Sequence, residues 1–313
     1  MTVFYNSSFS ELLGPSSQLE RVATGFAFTE GPIWMADGSL HFSDVVGDQR
    51  RRWHPEEGVS IIRNPNNHGN GMTRDANGGL IVCEHVTSRV IREAPDGEIT
   101  VVASHFQGKE LNSPNDVIVS NAGAIIFTDP DWGRTIPAVG LERPTQLAFR
   151  GVYCVRTPGA PVQLLVDDFE GPNGLCLSPD ERRLFVNDTY RAHIRVFDVG
   201  SDFSLSNGSV FADGIGEGVI GQGVVDGMKL DEHGNVYVTG PGGVWVFDQN
   251  GNRIGLIEVP EEVGNLNWGG ADWRTLFIAA SSSIYRIDLN VGGNPLAYMR
   301  EGRSPTGGAG EGR

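Results

Sequence analysis

Six short segments place an acid or an asparagine at the start of a strand-like run. They are Glu30 in TEGPIW, Asn70 in GNGMTRD, Asn115 in SPNDVIV, Asn173 in GPNGLCL, Asp226 in VVDGMKL and, with a weaker alignment, Asn265 or Asn267 in GNLNW. Carboxylate and amide oxygens form a hard donor set that suits Ca²⁺, Mg²⁺ or Mn²⁺. Converging carboxylates repel one another unless they are protonated or bridged by a cation. Glu30 and Asp226 would together neutralise one divalent ion, and Glu30 is therefore predicted to be a metal ligand.

A simpler interpretation of these segments is that they are turns. Asn-Gly and Asp-Gly are common turn dipeptides, and any one of the segments taken alone fits a turn equally well. The same polar class, however, recurs at the same place in five or six units, beside a strand rather than between two hairpin arms. Independent turns would not need this shared position, so the pattern favours side chains that converge on one site.

Other kinds of catalytic site find little support. The chain has no HxxxH or HExxH spacing, no GxSxG, and no Walker lysine after the glycine string that begins at Gly214. His68 and His85 occupy loop positions, and His85 is predicted either to contact substrate or to make a structural hydrogen bond. Arg50, Arg51 and Arg52 follow one another near the edge of a strand-rich segment and are predicted to be solvated.

A short repeat indicates which elements must position the polar residues. A turn followed by a β-rich run recurs at intervals of about 40 to about 60 residues, and the shorter intervals are typical of propeller blades. The six copies are DGSLHFSD from Asp37, NGGLIVCEH from Asn77, AGAIIFTD from Ala122, ERRLFVND from Glu181, HGNVYVTG from His233 and WRTLFIAA from Trp273. Each copy lies within four alternating runs, which predicts four antiparallel strands. The predicted fold class is therefore all-β, a six-bladed β-propeller in which the first strand of each blade begins at the central axis.

The chain ends predict how the ring closes. The sixth unit has no clear fourth strand, whereas LERVATG at residues 19–25 resembles the fourth strands of other units. We expect this N-terminal strand to complete the sixth blade, because closure removes an exposed sheet edge. Residues 1–300 are predicted to form a single domain and 301–313 a flexible tail. The long gap before the fourth copy predicts an inserted loop over one face.

Charge and composition indicate which classes of binding partner and which cellular compartment to expect. The formal net charge of −15 would repel nucleic acid and anionic membranes, so a small molecule or a metal ion is the expected ligand. Cys83, Cys154 and Cys176 lie in apolar runs and are predicted to be buried thiols in a reducing compartment. With no membrane span or signal peptide in the sequence, a cytoplasmic monomer or homodimer is expected.

The chain resembles the SMP-30/gluconolactonase/LRE family of six-bladed propellers, and within it the bacterial sugar-lactonase branch. The resemblance rests on long, ordered matches that include TEGPIW, LNSPNDVIV, FTDPDWG, GPNGLCLSPDERRLFVNDT, VVDGMKLDEHGNVYV and WGGADWRTLFIAA. It implies that Glu30, Asn173 and Asp226 bind the metal and that Asp226 is the general base. It also implies that Asn115 contacts substrate or a metal-bound water. The second-blade segment departs from the family, with NNHGNGM where GNTNGL is common.

The residues and the resemblance together predict metal-dependent hydrolysis of a sugar lactone to the aldonic acid. Ca²⁺ is the favoured ion, with Mg²⁺, Mn²⁺, Zn²⁺ and Fe²⁺ as alternatives. The ion would polarise the lactone carbonyl while Asp226 activates water directly or through the metal, and Asn115, Asn70 and His85 would bind substrate. Two alternatives remain: hydrolysis of non-sugar lactones or phosphotriesters at the same site, and a non-catalytic calcium-binding propeller.

Overall fold

The computed structural model describes residues 2–4, 6–14 and 17–300 and confirms the six-bladed β-propeller. Within each blade neighbouring strands pair antiparallel, and except for the outer strand of blade 6 each strand pairs with the next one along the chain. The first strands of neighbouring blades pack against one another around the central axis. The tail predicted over residues 301–313 lies outside the described residues.

Each blade contains four strands. Blade 1 comprises Thr29–Trp34, Leu40–Asp44, Gln49–His54 and Gly58–Arg63; blade 2 comprises Gly69–Arg74, Leu80–Glu84, Arg89–Glu93 and Ile99–Ala103; blade 3 comprises Val117–Val119, Ile125–Asp129, Arg150–Val155 and Gln163–Phe169; blade 4 comprises Pro172–Leu177, Arg183–Asp188, His193–Val199 and Leu205–Ala212; blade 5 comprises Met228–Leu230, Val236–Gly240, Gly243–Phe247 and Arg253–Glu258; blade 6 comprises Val263–Gly269, Thr275–Ala280, Ser283–Asp288 and Glu20–Thr24.

The ring is closed by the N-terminal strand, as the sequence predicts. Glu20–Thr24 pairs antiparallel with Ser283–Asp288 and so becomes the outer strand of blade 6. A further short strand, Thr2–Phe4, pairs with Arg253–Glu258 and gives blade 5 a fifth strand. Two blades are therefore completed by residues from the start of the chain, which covers edges that would otherwise be free to pair.

The hydrophobic core lies between blades. Phe42 and Trp53 of blade 1 pack against Phe277 and Ile284 of blade 6 in one cluster, and equivalent clusters fill the other blade interfaces. The three cysteines are buried in these layers, as expected of small apolar side chains. Because the apolar faces of the sheets are used between blades, the starts of the inner strands are free to carry polar residues.

Helices are few and short among the described residues. They are the α-helices Ser7–Leu12, Trp132–Thr135 and Ala297–Arg300 and the 3₁₀-helix Pro137–Val139. A small hairpin of His105–Phe106 with Lys109–Glu110 lies between blades 2 and 3 in the sequence. None of these helices is long and apolar enough to cross a membrane. The helices at 132–139 belong to the insertion, which connects the second and third strands of blade 3.

Arg134 anchors the insertion. Its guanidinium is buried and donates hydrogen bonds to the carbonyl oxygens of Asn112 at 2.6 Å, Leu111 at 2.6 Å and Pro144 at 2.8 Å. It also forms an ion pair of 2.6 Å with Glu110. This charge-assisted network ties the insertion to residues 110–112, which precede the first strand of blade 3.

One prediction about the arginines is wrong. Arg50 was expected to be solvated, but it is 2% exposed and pairs with Glu93 of the neighbouring blade. The neighbouring Arg51 and Arg52 are partly exposed and also form ion pairs, with Asp44 and with Asp37 and Glu57 respectively. Arg50 faces blade 2, where its burial demands an acidic partner.

Candidate active site

The residues predicted to bind metal or substrate all line one cavity at the axis. They are Glu30, Asn70, His85, Asn115, Asn173 and Asp226. The cavity has a volume of about 130 Å³. Its walls comprise Phe28, Glu30, Val45, Asn70, His85, Asn115, Trp132, Ile136, Val139, Asn173 and Asp226. Polar residues from blades 1 to 5 therefore converge, although up to 196 residues separate them in the sequence.

A β-bulge presents several of these side chains to the axis. In blade 1, Glu30 pairs with Ser43 and the next pair joins Ile33 to His41, so the first strand carries one extra residue. The same irregularity surrounds Asn70 in blade 2 and Asn173 in blade 4. A bulge bends its strand and redirects a side chain that regular alternation would place between blades. The dipeptides Asn70-Gly71 and Asn173-Gly174 therefore mark bulges, and they do not form hairpin turns.

Glycine after the polar residue lets the next blade approach. A Cβ atom on Gly31 would lie 2.3 Å from the carbonyl oxygen of Asn70, and one on Gly174 would lie 2.3 Å from the carbonyl oxygen of Asp226. The backbone of each following site residue thus packs directly on the glycine before it. This contact brings the polar residues of successive blades close enough to share one ligand.

Glu30 is held in a fixed orientation. Its Oε2 atom accepts hydrogen bonds from the backbone N–H of Gly31 at 2.8 Å and from Nδ2 of Asn265 at 2.9 Å. Of the two alternatives for the sixth position, the structure therefore places Asn265 beside the site, while Asn267 donates to the carbonyl oxygen of Pro32 at 2.8 Å. Both hydrogen bonds end on Oε2, so Oε1 is available to a ligand.

The orientation of the Asn173 amide follows from its neighbours. The hydroxyl of Thr189 donates to the carbonyl oxygen of Val225 at 2.7 Å, so it accepts at Oγ1 the N–H of Asn173 Nδ2 at 3.1 Å. The other amide atom, Asn173 Oδ1, is buried and has no hydrogen-bond partner within the described part of the chain. An orphaned buried oxygen beside two carboxylates fits a metal ligand.

Burial and mutual repulsion disfavour the charged forms of both carboxyl groups. Burial raises the pKa of Glu30 to about 7, opposed by the hydrogen bond from Asn265 and reinforced by the charge of Asp116. Burial, and then the charges of Glu30 and Asp116, raise the pKa of Asp226 well above its ordinary value. Lys229 lies 3.8 Å from Asp116 and forms an ion pair with it below the cavity. A divalent cation between Glu30 and Asp226 would remove their repulsion.

The donor set fits a hard divalent cation. Two carboxylates and an orphaned amide oxygen provide oxygen ligands only, which suits Ca²⁺, Mg²⁺ and Mn²⁺ better than a thiophilic metal. Across residues 2–4, 6–14 and 17–300 no group of three or more His, Cys, Asp and Glu side chains forms a metal cluster of another kind. The residues that could hold the ion are Glu30, Asn173 and Asp226.

One wall of the cavity is apolar and was not predicted from the sequence. It consists of Phe28 and Val45 of blade 1 and of Trp132, Ile136 and Val139 of the insertion. His68 is not part of this wall; its Nδ1 atom lies 2.8 Å from the carbonyl oxygen of Val45, behind the wall. The insertion thus covers one side of the site, and its apolar residues gave no chemical signal in the sequence.

The comparisons with known proteins place the chain in a family. The sequence model of the SMP-30/Gluconolactonase/LRE-like region matches residues 28–282. The chain is 31% identical to a gluconolactonase of Zymomonas mobilis over 90% of this chain and 84% of that protein.

Two solved structures illustrate how far the likeness extends. A gluconolactonase of Xanthomonas campestris superposes with a TM-score of 0.84 at 31% identity, over 92% of this chain and 94% of that one. A calcium-binding protein, regucalcin, of Agrobacterium tumefaciens superposes with a TM-score of 0.73 at 19% identity, over 90% and 97% of the two chains. At that identity the second likeness concerns the fold alone.

Proposed function

Because this chain belongs to the SMP-30/gluconolactonase/LRE-like family, we propose that it hydrolyses a sugar lactone to the corresponding aldonic acid and requires a divalent metal ion. The observation that carries the proposal is the pair of carboxylates, Glu30 and Asp226, that face one small cavity beside the orphaned Oδ1 atom of Asn173. Similarity over most of the chain to two gluconolactonases supports the substrate class.

Glu30, Asn173 and Asp226 would hold the ion, with Ca²⁺ proposed first and Mg²⁺, Mn²⁺, Zn²⁺ and Fe²⁺ as alternatives. A bound divalent cation polarises a carbonyl and stabilises the negative charge that develops on its oxygen. The hydrogen bonds that orient Glu30 and Asn173 leave one oxygen atom of each free before any ligand arrives. Such preorganisation avoids the cost of reordering the site during the reaction.

Asp226 is proposed as the general base. Its carboxylate takes a proton from a water molecule whose oxygen attacks the lactone carbonyl carbon, and the bond between that carbon and the ring oxygen then breaks. The proton passes from Asp226 to the departing ring oxygen, so the product is the open-chain hydroxy acid and the base is regenerated.

The remaining residues would bind the substrate. Asn115 and Asn70 line the polar side of the cavity and offer amide groups to ring hydroxyls. Trp132, Ile136 and Val139 form an apolar part of the wall, where they would pack on the C–H groups of the ring and exclude bulk water. A sugar lactone presents both kinds of surface, so it matches a cavity with one polar and one apolar wall.

The apolar wall also favours a second candidate, a non-sugar lactone that carries an alkyl substituent. Phe28, Val45, Ile136 and Val139 offer no hydrogen bond from their side chains to a hydroxyl on that side. The same metal and base would serve either ring, because the chemistry takes place at the lactone carbonyl. Alkyl-substituted γ- and δ-lactones therefore belong in the same substrate panel.

The test is to strip the purified protein with a chelator and to measure proton release from D-glucono-, D-xylono-, L-arabinono- and D-galactono-lactone as each divalent ion is returned. We expect hydrolysis above the spontaneous rate only with metal. We also expect Asp226→Asn to lower kcat/KM by about 10²- to 10⁴-fold, the usual range for removing a general base. Glu30→Gln should also lower kcat/KM, because the ion loses one of its two charged ligands.

Asp248→Asn provides the matched control, because it makes the same chemical change in blade 5 at a turn aspartate that does not line the cavity. It should retain the activity of the unmodified protein. Metal binding without turnover of any sugar or alkyl lactone would refute the catalytic proposal and favour a calcium-binding propeller. Hydrolysis that persists after chelation would instead refute the metal requirement.

A further inference from the structure

A chain of polar contacts joins the insertion to the cavity through His85 and Asn70. Nδ1 of His85 lies 2.8 Å from the carbonyl oxygen of Val139, and Nε2 of His85 lies 3.3 Å from Nδ2 of Asn70. His85 is 2% exposed and Asn70 is 5% exposed, so neither side chain can exchange these partners freely for water. Through His85, the insertion therefore influences Asn70, which belongs to blade 2 and not to the insertion.

The contact with Val139 fixes the tautomer of His85. A carbonyl oxygen can only accept a hydrogen bond, so Nδ1 must carry the proton. Burial lowers the pKa of His85 to about 4, and the ring is therefore neutral near pH 7. A neutral imidazole that is protonated at Nδ1 has a bare lone pair on Nε2.

The tautomer in turn fixes the Asn70 amide. A bare Nε2 accepts a hydrogen bond, so it must face the N–H group of Asn70 and not the amide oxygen. The oxygen, Oδ1 of Asn70, is then directed away from His85. It is buried and has no hydrogen-bond partner within the residues that the structure describes, and Asn70 lines the cavity. This orientation follows from the acceptor character of the Val139 carbonyl together with the neutral state of the buried ring.

We infer that His85 is a positioning residue that holds Asn70 as a hydrogen-bond acceptor, and that the site thereby selects a lactone bearing a hydroxyl group that donates to Asn70 Oδ1. The inference rests on the proposed function for its substrate class. It specifies the kind of group that is recognised, because a hydrogen or fluorine atom in place of that hydroxyl cannot donate. His85 acts through Asn70 and takes no part in the chemical step.

The expected discrimination is large because the acceptor is buried. A substrate without the hydroxyl leaves Oδ1 of Asn70 desolvated and unpaired, which costs about 1–3 kcal/mol, or about 5- to 150-fold in kcat/KM. An exposed acceptor would bond to water instead and would discriminate little.

The test uses the best lactone of the panel and analogues in which each ring hydroxyl in turn is replaced by hydrogen or by fluorine. At one ring position we expect both analogues to lose about 5- to 150-fold in kcat/KM, because neither can donate. Asn70→Ala is the matched control for the electronic effect of fluorine on the carbonyl, and in this variant the selective loss at that position should disappear. A fluoro analogue that is tolerated clearly better than its deoxy partner at the position whose loss depends on Asn70 would show that Asn70 donates, and would overturn the inference.

Two substitutions of His85 separate positioning from simple support. His85→Gln keeps one donor for the Val139 carbonyl and one acceptor for Asn70, so it should keep the preference for the donating hydroxyl. His85→Phe fills similar space but lets the amide turn over, so the fluoro analogue should improve relative to the deoxy analogue. The loss of kcat/KM in His85→Phe should come mainly from a higher KM, with kcat changed less. Equal behaviour of the two variants across the analogue series would contradict the positioning role.

The tautomer can be measured without any activity. In protein labelled with ¹⁵N-histidine, the two ring nitrogens of His85 should show a protonated Nδ1 and an unprotonated Nε2 near pH 7, and His85→Gln identifies the signals. A protonated Nε2 would overturn the inference even if lactones are hydrolysed. If no lactone is hydrolysed but the Nδ1–H tautomer is found, the proposed function fails while the held orientation of Asn70 stands.

Discussion

The two ends of the central channel are formed by the same inner strands but differ in chemistry. At one end the strands begin with Glu30, Asn70, Asn115, Asn173 and Asp226, which surround the candidate active site. Towards the other end the same strands carry side chains such as Ile33, Met72 and Val117, and Pro295, Leu296 and Met299 from the end of the chain complete that pocket.

The difference shows where the molecule gives up stability for function. Glu30 and Asp226 are held close together with raised pKa values, an arrangement that disfavours the metal-free folded state. Ile33 and Met72, at 2% and 3% exposed, pack apolar surface and stabilise the fold. Substitutions at the two ends should therefore affect activity and stability in opposite ways.

The largest expected effect is on activity at the site end. Besides lowering kcat/KM by about 10²- to 10⁴-fold, Asp226→Asn should raise the free energy of unfolding of the metal-free protein at pH 8, because the amide is not repelled by Glu30. Urea unfolding in the presence of a chelator would measure this. A metal-free variant that is less stable than the unmodified protein would mean that Asp226 also supports the fold.

The next effect is on stability at the opposite end. Ile33→Ala should lower the free energy of unfolding by about 2–5 kcal/mol, since it leaves a cavity among buried side chains. The kcat/KM of the folded variant should stay within about 3-fold, because Ile33 does not contact the site cavity. Urea unfolding and lactone hydrolysis on the same sample check both parts. A large loss of activity with little loss of stability would break the proposed division between the ends.

Binding of the metal ion should raise the free energy of unfolding by an amount similar to, or smaller than, the loss expected for Ile33→Ala. At a free concentration 100 times Kd, the ion should add about 2.7 kcal/mol to the free energy of unfolding. Glu30 and Asp226 must both lose their protons to bind the ion, and the pKa of each is raised, to about 7 for Glu30, so the affinity should fall as the pH drops through this range. Thermal unfolding at several metal concentrations and pH values would measure this, with Glu30→Gln as the variant that should show a much smaller shift.

The smallest expected effect concerns His85 and acid. The pKa of His85 is lowered from 6.5 to about 4 by burial, so between these values the unfolded chain binds a proton that the folded protein does not. This contribution to stability is therefore present above pH 6.5 and is lost as the pH falls towards 4. At pH 5.5 the loss is about 1 kcal/mol, by the usual conversion of 1.36 kcal/mol per pKa unit. The difference in unfolding free energy between the unmodified protein and His85→Gln should change by that amount between pH 7 and pH 5.5.

Much of the fold was predictable because it repeats. Turn dipeptides and alternating runs recur six times, and each copy reports independently on the same four-stranded unit. The closing strand at Glu20–Thr24 was also predictable, since the sixth unit lacked a fourth strand. The short strand Thr2–Phe4 was not predicted, because three residues carry too little pattern to distinguish pairing from coil.

The sequence by itself determined which polar residues face the axis, because their position at the start of each first strand is a local property repeated along the chain. Only the tertiary structure decided the rest of the site. Trp132 and Val139 reach the cavity through the path of the insertion, and Arg134 fixes that path by bonds to distant carbonyl oxygens. The orientation of Asn70 depends on His85 and a backbone carbonyl of the insertion. Contacts between residues far apart in the chain leave no periodic signal. The sequence therefore identified the polar residues of the site, whereas the tertiary structure decided their orientation and the residues that surround them.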